Sequence, residues 1–319
     1  YALLPASSGF EQGMLNIGKI RNRGFELTLE TVNVKTRQFQ WSTSFNIAFN
    51  RNRILGLVDG QNTLQSSVSW ETRFNSQFPY ISQVGKPTGM MYGFIYDGTY
   101  KAEDFDDKGN LVSGVPSFKG NAMQPGDMKY RDMNGDGVID TNDKTILGNA
   151  YPDFTGGFST SLSWKGFDLG ASFTYSYGGE VINFQDYYLF NVEGSSNQYA
   201  IAADRYVSDT NPGRNNVPIA TRISVTNQSL KLSSYYVEDA SYFRCSNITL
   251  GYTLPKRLLR KIGVESCRVY VSGDNLFTIT DYRGYNPEVS YKSSNLMPGF
   301  DWGCYPLSRI YSVGLNLTF

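Results

Sequence analysis

With 319 residues and Lys+Arg balanced against Asp+Glu at 29 each, the chain offers no net charge to attract nucleic acid or another polyanion. It contains no histidine, which excludes serine-histidine hydrolysis and zinc chemistry on His ligands and leaves only carboxylate-pair catalysis open. No run approaches the roughly 18 to 20 apolar residues of a membrane-spanning helix, yet a membrane β-barrel stays open, because its alternating strands average to a bland hydropathy.

The first residues, YALLPASSGF, show neither an initiator Met nor a basic n-region, so a piece of something larger without a signal peptide is expected. From there the pattern is period 2. A strand is expected over Gly24 to Val34 and another over Phe39 to Phe49. In the latter Phe39, Trp41, Thr43, Phe45, Ile47 and Phe49 alternate with Gln40, Ser42, Ser44, Asn46 and Ala48. A very long loop follows, from Asp97 to Pro152. Phe158 to Trp164 and Phe167 to Tyr177 then form a hairpin across Lys165 and Gly166. After a second long loop, Gly178 to Ala240, come strands at Ser241 to Leu254, Arg268 to Thr278 and Arg309 to Phe319.

Within the first long loop lies DMNGDGVIDTND, Asp132 to Asp143, which has the spacing of a calcium loop apart from its last residue. The side chains of Asp132, Asn134 and Asp136 would supply oxygens, Val138 its carbonyl, Asp140 a contact often made through water, and Asp143 the closing carboxylate. Gly137 permits the sharp turn. Asp at position twelve is one methylene shorter than the usual Glu. Helical flanks are poorly supported, so the expectation is a structural Ca2+ staple that orders the loop; the competing reading is a solvated Asn-Gly/Asp-Gly turn without an ion.

Other candidates are weaker. Asp106 and Asp107 could be a glycosidase pair, but among 29 acids a chance pair is far commoner. Gly166 precedes no helix and is turn punctuation, not a phosphate cradle. LPKRLLRKIG, Leu254 to Gly263, reads as a one-turn periplasmic connection that sets Lys256, Arg257, Arg260 and Lys261 at the membrane surface. A hairpin centred near Leu259 puts Cys267 opposite Leu250 to Gly251, out of bridging range of Cys245, and Cys304 at the opposite end; three free thiols are expected.

Strands of this kind suit either a β-sandwich, whose apolar face packs a core, or a membrane barrel, whose apolar face meets lipid and whose polar face lines a lumen. Three features favour the barrel. Several strands reach 11 residues or more, against about 9 to 11 for a tilted membrane strand. Connections alternate between short and long. Trp41, Trp164, Phe167, Tyr252 and Phe319 fall near the short-turn ends, where an interfacial belt belongs.

The blocks NIGKIRNRGFELTLETVNV, GDMKYRDMNGDGVIDTNDKTILGNAYPDFTGGFSTSLSWKGFDL, YFRCSNITLGYTLPKRLLRKIGVESCRVYVSGDNLFTITDYRGYNPEVS and YPLSRIYSVGLNLTF together resemble the C-terminal part of SusC/RagA-family TonB-dependent outer-membrane transporters. The resemblance covers almost the whole chain. It implies an all-β fold: an antiparallel transmembrane β-barrel, with residues 1–319 supplying about ten strands of 22, long extracellular loops, and the plug domain and N-terminal extension absent from this sequence. It also implies an importer of oligosaccharides or peptides, not an enzyme. Such an importer is energised through TonB-ExbB-ExbD, works under a SusD-like surface lipoprotein lid, sits in outer-membrane lipid and assembles as a dimeric transporter-lid complex. Gln40, Ser42, Ser44, Asn46, Asp168, Ser172, Thr174, Asn316 and Thr318 would line the lumen. Tyr187, Tyr188 and Tyr199 would stack on substrate or pack on the lid, and Phe319 would be the terminal aromatic of the closing strand. The alternative is a secreted calcium-stabilised β-sandwich carbohydrate-binding or adhesin module; a glycoside hydrolase is the third reading.

Overall fold

The computed structural model describes residues 2–3, 12–13, 18–57, 60–68, 77–118, 123–190, 192, 197–214, 217–220, 231–259, 263–289 and 294–319. Its main body is one seven-stranded sheet: β1 (Gly18–Lys35), β2 (Phe39–Leu57), β3 (Phe154–Trp164), β4 (Phe167–Tyr177), β5 (Tyr242–Thr253), β6 (Ser266–Thr280) and β7 (Ile310–Thr318). Each strand pairs antiparallel with its neighbours in chain order, a simple up-and-down meander. An 11-residue strand at about 3.4 Å per residue, tilted by about 45°, rises roughly 26 Å, the height of the apolar band of an outer-membrane barrel.

Seven strands of the wall are found where about ten were expected. All seven sit where the alternation placed them, several extended at their ends. No further wall strand occurs among the described residues, because Tyr80–Gln83, Met90–Gly93 and Tyr96–Thr99 form short sheets in the first long excursion instead. Four-residue strands are too short to span hydrocarbon, and their residues are largely buried against one another.

Register decides the two faces. One transverse row reads Val34, Trp41, Leu162, Leu169, Leu250, Val271, Val313, apolar across all seven strands. A row of the other phase reads Glu30, Ser44, Ser159, Ser172, Asn247, Asp274. The apolar face is uncovered: Leu315 is 57% exposed, Leu317 45% and Phe25 62%. A sandwich would bury these side chains under a second sheet, and none covers them among the described residues. An apolar face this wide is not sustained in water and belongs in lipid. Polar atoms on it are paired: the hydroxyls of Thr31 and Thr43 lie 2.7 Å apart, and Trp41 Nε1 donates to Thr160 Oγ1 at 3.0 Å.

Connections at one end of the sheet are short, residues 36–38, Lys165–Gly166 and 254–265; at the other they are long, 58–153, 178–241 and 281–309. Lys165 (φ +48°) and Gly166 (φ +93°) close the tightest hairpin, with the two positive φ values that match strand twist. Beside this end the rings of Phe167 and Tyr252 pack at a tilt, 4.5 Å apart, and Trp164 pairs with both Phe39 and Phe167. Within this short connection residues Lys256–Leu259 make a single helical turn, α2; Arg260 and Lys261 lie outside the described residues. The hairpin centre falls nearer residue 260 than 259, so Leu254, not Leu250 or Gly251, faces Cys267, its N–H donating to the Cys267 carbonyl at 2.9 Å. Cys245 pairs with Phe277, and all three thiols are free. Cys304 lies in the extracellular layer, against the cluster of Val181, Tyr282 and Val289, and precedes the final strand.

The three long excursions fold together. Their core holds Tyr80, Met91, Ile182, Phe184, Tyr187, Leu232, Tyr236 and Phe300, with α1 (Gln185–Leu189) packed into it.

Candidate functional site

Two surfaces position polar chemistry: the inner face of the wall, and the layer formed by the long excursions. On the inner face, residues of six strands from β1 to β6 line one open cavity of about 780 Å³. A flat sheet cannot enclose a volume touched by six of its strands, so the wall curves toward its polar face. Ser42, Ser44, Asp168 and Ser172 of the expected lumenal set line it directly. Gln40, Asn46, Thr174, Asn316 and Thr318 share the same strand phase.

Charge on this face is organised across strands. Arg268 of β6 reaches over β5 to Asp168 of β4, its Nε donating to Asp168 Oδ1 at 2.9 Å and its Nη2 to Oδ2. Gly251 makes the reach possible, since a Cβ there would stand 2.5 Å from Arg268 Nη2 and 2.6 Å from Asp168 Oδ1. The Tyr270 ring lies 5.0 Å from the guanidinium. Asp168 was legible from alternation; Arg268 was not singled out, although its strand phase was the available signal.

Higher up, nearly buried Arg244 joins wall to layer. It pairs with Glu288, donates to Asn286 Oδ1 at 3.0 Å and to Thr278 Oγ1 at 3.1 Å, and Tyr242 donates its hydroxyl to Glu288. The Asn-Pro-Glu segment 286–288 is thereby clamped onto β5. Within the layer, Arg283 Nη2 donates to Glu238 Oε1 at 2.8 Å and stands 2.6 Å from Asp186 Oδ2. Asp301 Oδ2 accepts from Tyr282 Oη at 2.5 Å and from Gln185 Nε2 at 2.9 Å. One guanidinium thus serves two carboxylates, Glu238 and Asp186, while Tyr282 and Gln185 hold the third, Asp301. Burial, opposed by Arg283 and reinforced by Glu238 and Asp301, pushes the carboxyl of Asp186 up to about 7. Sequence reasoning missed this cluster, because its members come from four separated segments.

The tyrosines divide. Tyr187 is buried in the aromatic core and stacks on Phe184 at 4.9 Å, away from the surface; Tyr188 packs partly buried beside it, and Tyr199 stays exposed. Asp106 is a turn residue: its Oδ1 accepts from the amides of Lys108 and Asn110.

The acidic loop closes on itself. Asp132 accepts from Gly135 N at 2.6 Å and Gly137 N at 2.8 Å, Asn134 Oδ1 from Asp136 N, and Asp136 Oδ1 from Val138 N. Asp140 Oδ1 accepts from Asn142 N, and buried Asp143 accepts from Met133 N at 2.8 Å and Asp140 N at 2.7 Å. The Gly137 amide, foremost among these donors, holds the Asp132 carboxyl below its usual range. Among the described residues no three acidic side chains gather as a cation cage.

An open, lipid-facing antiparallel meander with a polar, curved inner face and one-sided long loops is a segment of outer-membrane β-barrel wall. Comparison with known proteins agrees. The chain is 36% identical over 322 residues to TonB-dependent receptor P3 of Formosa agariphila, covering 99% of this chain and 30% of that protein. It is 28% identical over 321 residues to TonB-dependent receptor SusC of Bacteroides thetaiotaomicron, again over 99% of this chain and 28% of SusC. Among solved structures, the RagAB peptide transporter matches with TM-score 0.74 at 24% identity over 99% of this chain and 31% of that one. The RagAB peptide importer in its open-open state matches with TM-score 0.72 at 25% identity, over 100% and 31% respectively. No family model matches the chain. Over its whole length the chain matches SusC/RagA-like TonB-dependent receptors, and it spans about a third of the length of these relatives. Its relatives bear receptor and transporter names, not enzyme names.

Proposed function

We propose that this chain is part of the barrel of an outer-membrane importer that takes up oligosaccharides or peptides, energised through TonB-ExbB-ExbD beneath a SusD-like lipoprotein, in a dimeric transporter-lid assembly. The observation that carries the reading is the wall itself: among the described residues it has seven strands, apolar outside and polar inside, whose two end strands β1 and β7 each pair on one side only. Unpaired edges are not sustained in hydrocarbon, so the remainder of a barrel must complete them. A lumen curved around six strands of polar side chains is too wide to be filled by them and needs a plug. The RagAB and SusC likenesses support import, and the RagAB descriptions favour peptide as the substrate class. The test is uptake of fluorescent peptides and oligosaccharides by cells carrying or lacking the full-length gene. Gene-dependent uptake abolished by a protonophore is expected; equal uptake in both strains refutes import.

Calcium at Asp132, Asn134, Asp136, Val138, Asp140 and Asp143 is part of the same proposal. The spacing supports it, and a carboxylate oxygen that accepts one amide keeps a second lone pair for an ion. Calorimetric titration of chelator-treated protein should show one site with Kd between about 10⁻⁵ and 10⁻³ M. No heat at millimolar calcium leaves the loop as a hydrogen-bonded turn.

A further inference from the structure

Where the inner face of the wall meets the extracellular layer, a cavity of about 290 Å³ opens beside the upper ends of β3, β4 and β5. Thr155, Ser176 and Tyr242, neighbours in one lumen-facing row, form its floor. At the low end of ligand-site volumes, it suits one side chain, not a whole oligomer. Most of the remaining lining is apolar, with Val181, Val289 and Pro298 among it.

One carboxylate of the lining lacks a counter-charge. Glu180 Oε2 accepts from Asn149 N at 2.8 Å, and among the described residues no Lys or Arg stands within ion-pair distance of it. Glu288, also in the lining, is already paired with Arg244 and Tyr242. Partial burial first, then the charges of Asp239 and Asp153, raise the Glu180 carboxyl above its usual range against the Asn149 hydrogen bond. A half-buried carboxylate in negative surroundings, set among apolar walls, is complementary to a cation on an aliphatic stem.

We propose that this cavity is a subsite for an alkylammonium group, the lysyl side chain of an imported peptide, with its stem on the apolar walls and its ammonium on Glu180. The proposal rests on the import reading and narrows its substrate class. A bare metal ion needs several converging oxygens, which the described residues do not assemble. A neutral sugar finds donors in Thr155 and Ser176 but leaves the Glu180 carboxylate without a counter-charge, which an ammonium supplies. Because Asn149 N occupies one lone pair of Glu180 Oε2, a two-point guanidinium would have to share that oxygen, and a point-charge ammonium on the other fits better.

The experiment is calorimetric titration of the full-length transporter with its lid, purified in detergent. The probes are three blocked tripeptides, Ala-Lys-Ala, Ala-Arg-Ala and Ala-norleucine-Ala, and a glucosamine oligosaccharide, which carries ammonium without the stem. The lysyl peptide should bind about tenfold or more tighter than the norleucyl one, the scale of one charge-assisted hydrogen bond. Glu180→Gln should erase that preference and leave the norleucyl affinity unchanged. Ala240→Leu, which fills the cavity with Glu180 intact, should weaken both peptides. Equal binding of lysyl and norleucyl peptides, no binding of either, a preference that survives Glu180→Gln, or tighter binding of the amino sugar each overturns the proposal. Protonophore-sensitive uptake in the same cells reports separately on import, so a transporter that imports but ignores the ammonium refutes only the subsite.

Discussion

The wall and the extracellular layer obey opposite rules for burying apolar surface. In the layer, Tyr80, Phe184, Tyr187, Tyr236 and Phe300 are almost wholly inaccessible and form a core like that of a soluble domain. In the wall, Val271, Val313 and Leu315 point away from the molecule, and the interior holds serine, asparagine and ion pairs. The layer is therefore held by packing. Backbone pairing along the ladder and the surrounding lipid hold the wall. Arg244 and its partners on 286–288 join the two regions, as do the backbone hydrogen bonds of Ile54 with Gly85 and Lys86 and the hydrogen bonds of the Asn52 side chain with Thr88.

The sharpest way to break this contrast is a deletion in the aromatic core. Phe184→Ala removes a ring that stacks on Tyr187, Phe300 and Trp302 and should cost the layer about 3 to 5 kcal/mol. Hydrogen exchange should rise throughout the excursions while the heat-modifiable gel shift of the inserted barrel persists. Loss of both together would mean the two regions fold as one unit.

The converse change is Val271→Arg, in the middle of the lipid-facing row. A charge there should cost about 2 to 4 kcal/mol and lower the inserted fraction, scored by the same gel shift. Normal insertion would place this face against protein instead.

A pH series sharpens the comparison with a smaller effect. The folded-state carboxyl of Asp186, near 7, lies above its unfolded value, so the native state holds the extra proton. Stability from this group is complete below about pH 4, is lost as pH rises, and is gone above about 7. Exchange protection of 183–189, corrected for intrinsic rate, should fall over that window while the wall stays constant. Asp186→Asn should flatten the profile; a variant that keeps the slope refutes the assignment to Asp186.

Much of the wall was legible in advance. Alternation such as Phe39 to Phe49 fixes a two-faced strand, and Lys165–Gly166 fixes the tightest turn, because both are local. The expected lumenal positions fell on one face for the same reason. Where the reading missed, long-range pairing was decisive. The short strands between Tyr80 and Thr99 were not singled out, because each is too brief for a periodic signal and finds its partners in the excursions, at Met128–Tyr130 and Thr145–Gly148 among others. Tyr187 looked like a surface aromatic until Phe184 and Phe300, distant in sequence, closed over it.

The amino-acid order alone determined the spacing of the strands, their two faces, the side on which the turns are short, and the unpaired state of the thiols. These follow from period-2 geometry and turn stereochemistry, which act over a few residues. Only the tertiary structure decided that the apolar face stays uncovered, that Gly251 lets Arg268 reach Asp168, and that Asp186 and Glu238 meet on Arg283. Each of those depends on residues tens to hundreds of positions apart meeting in space, and no local pattern encodes that.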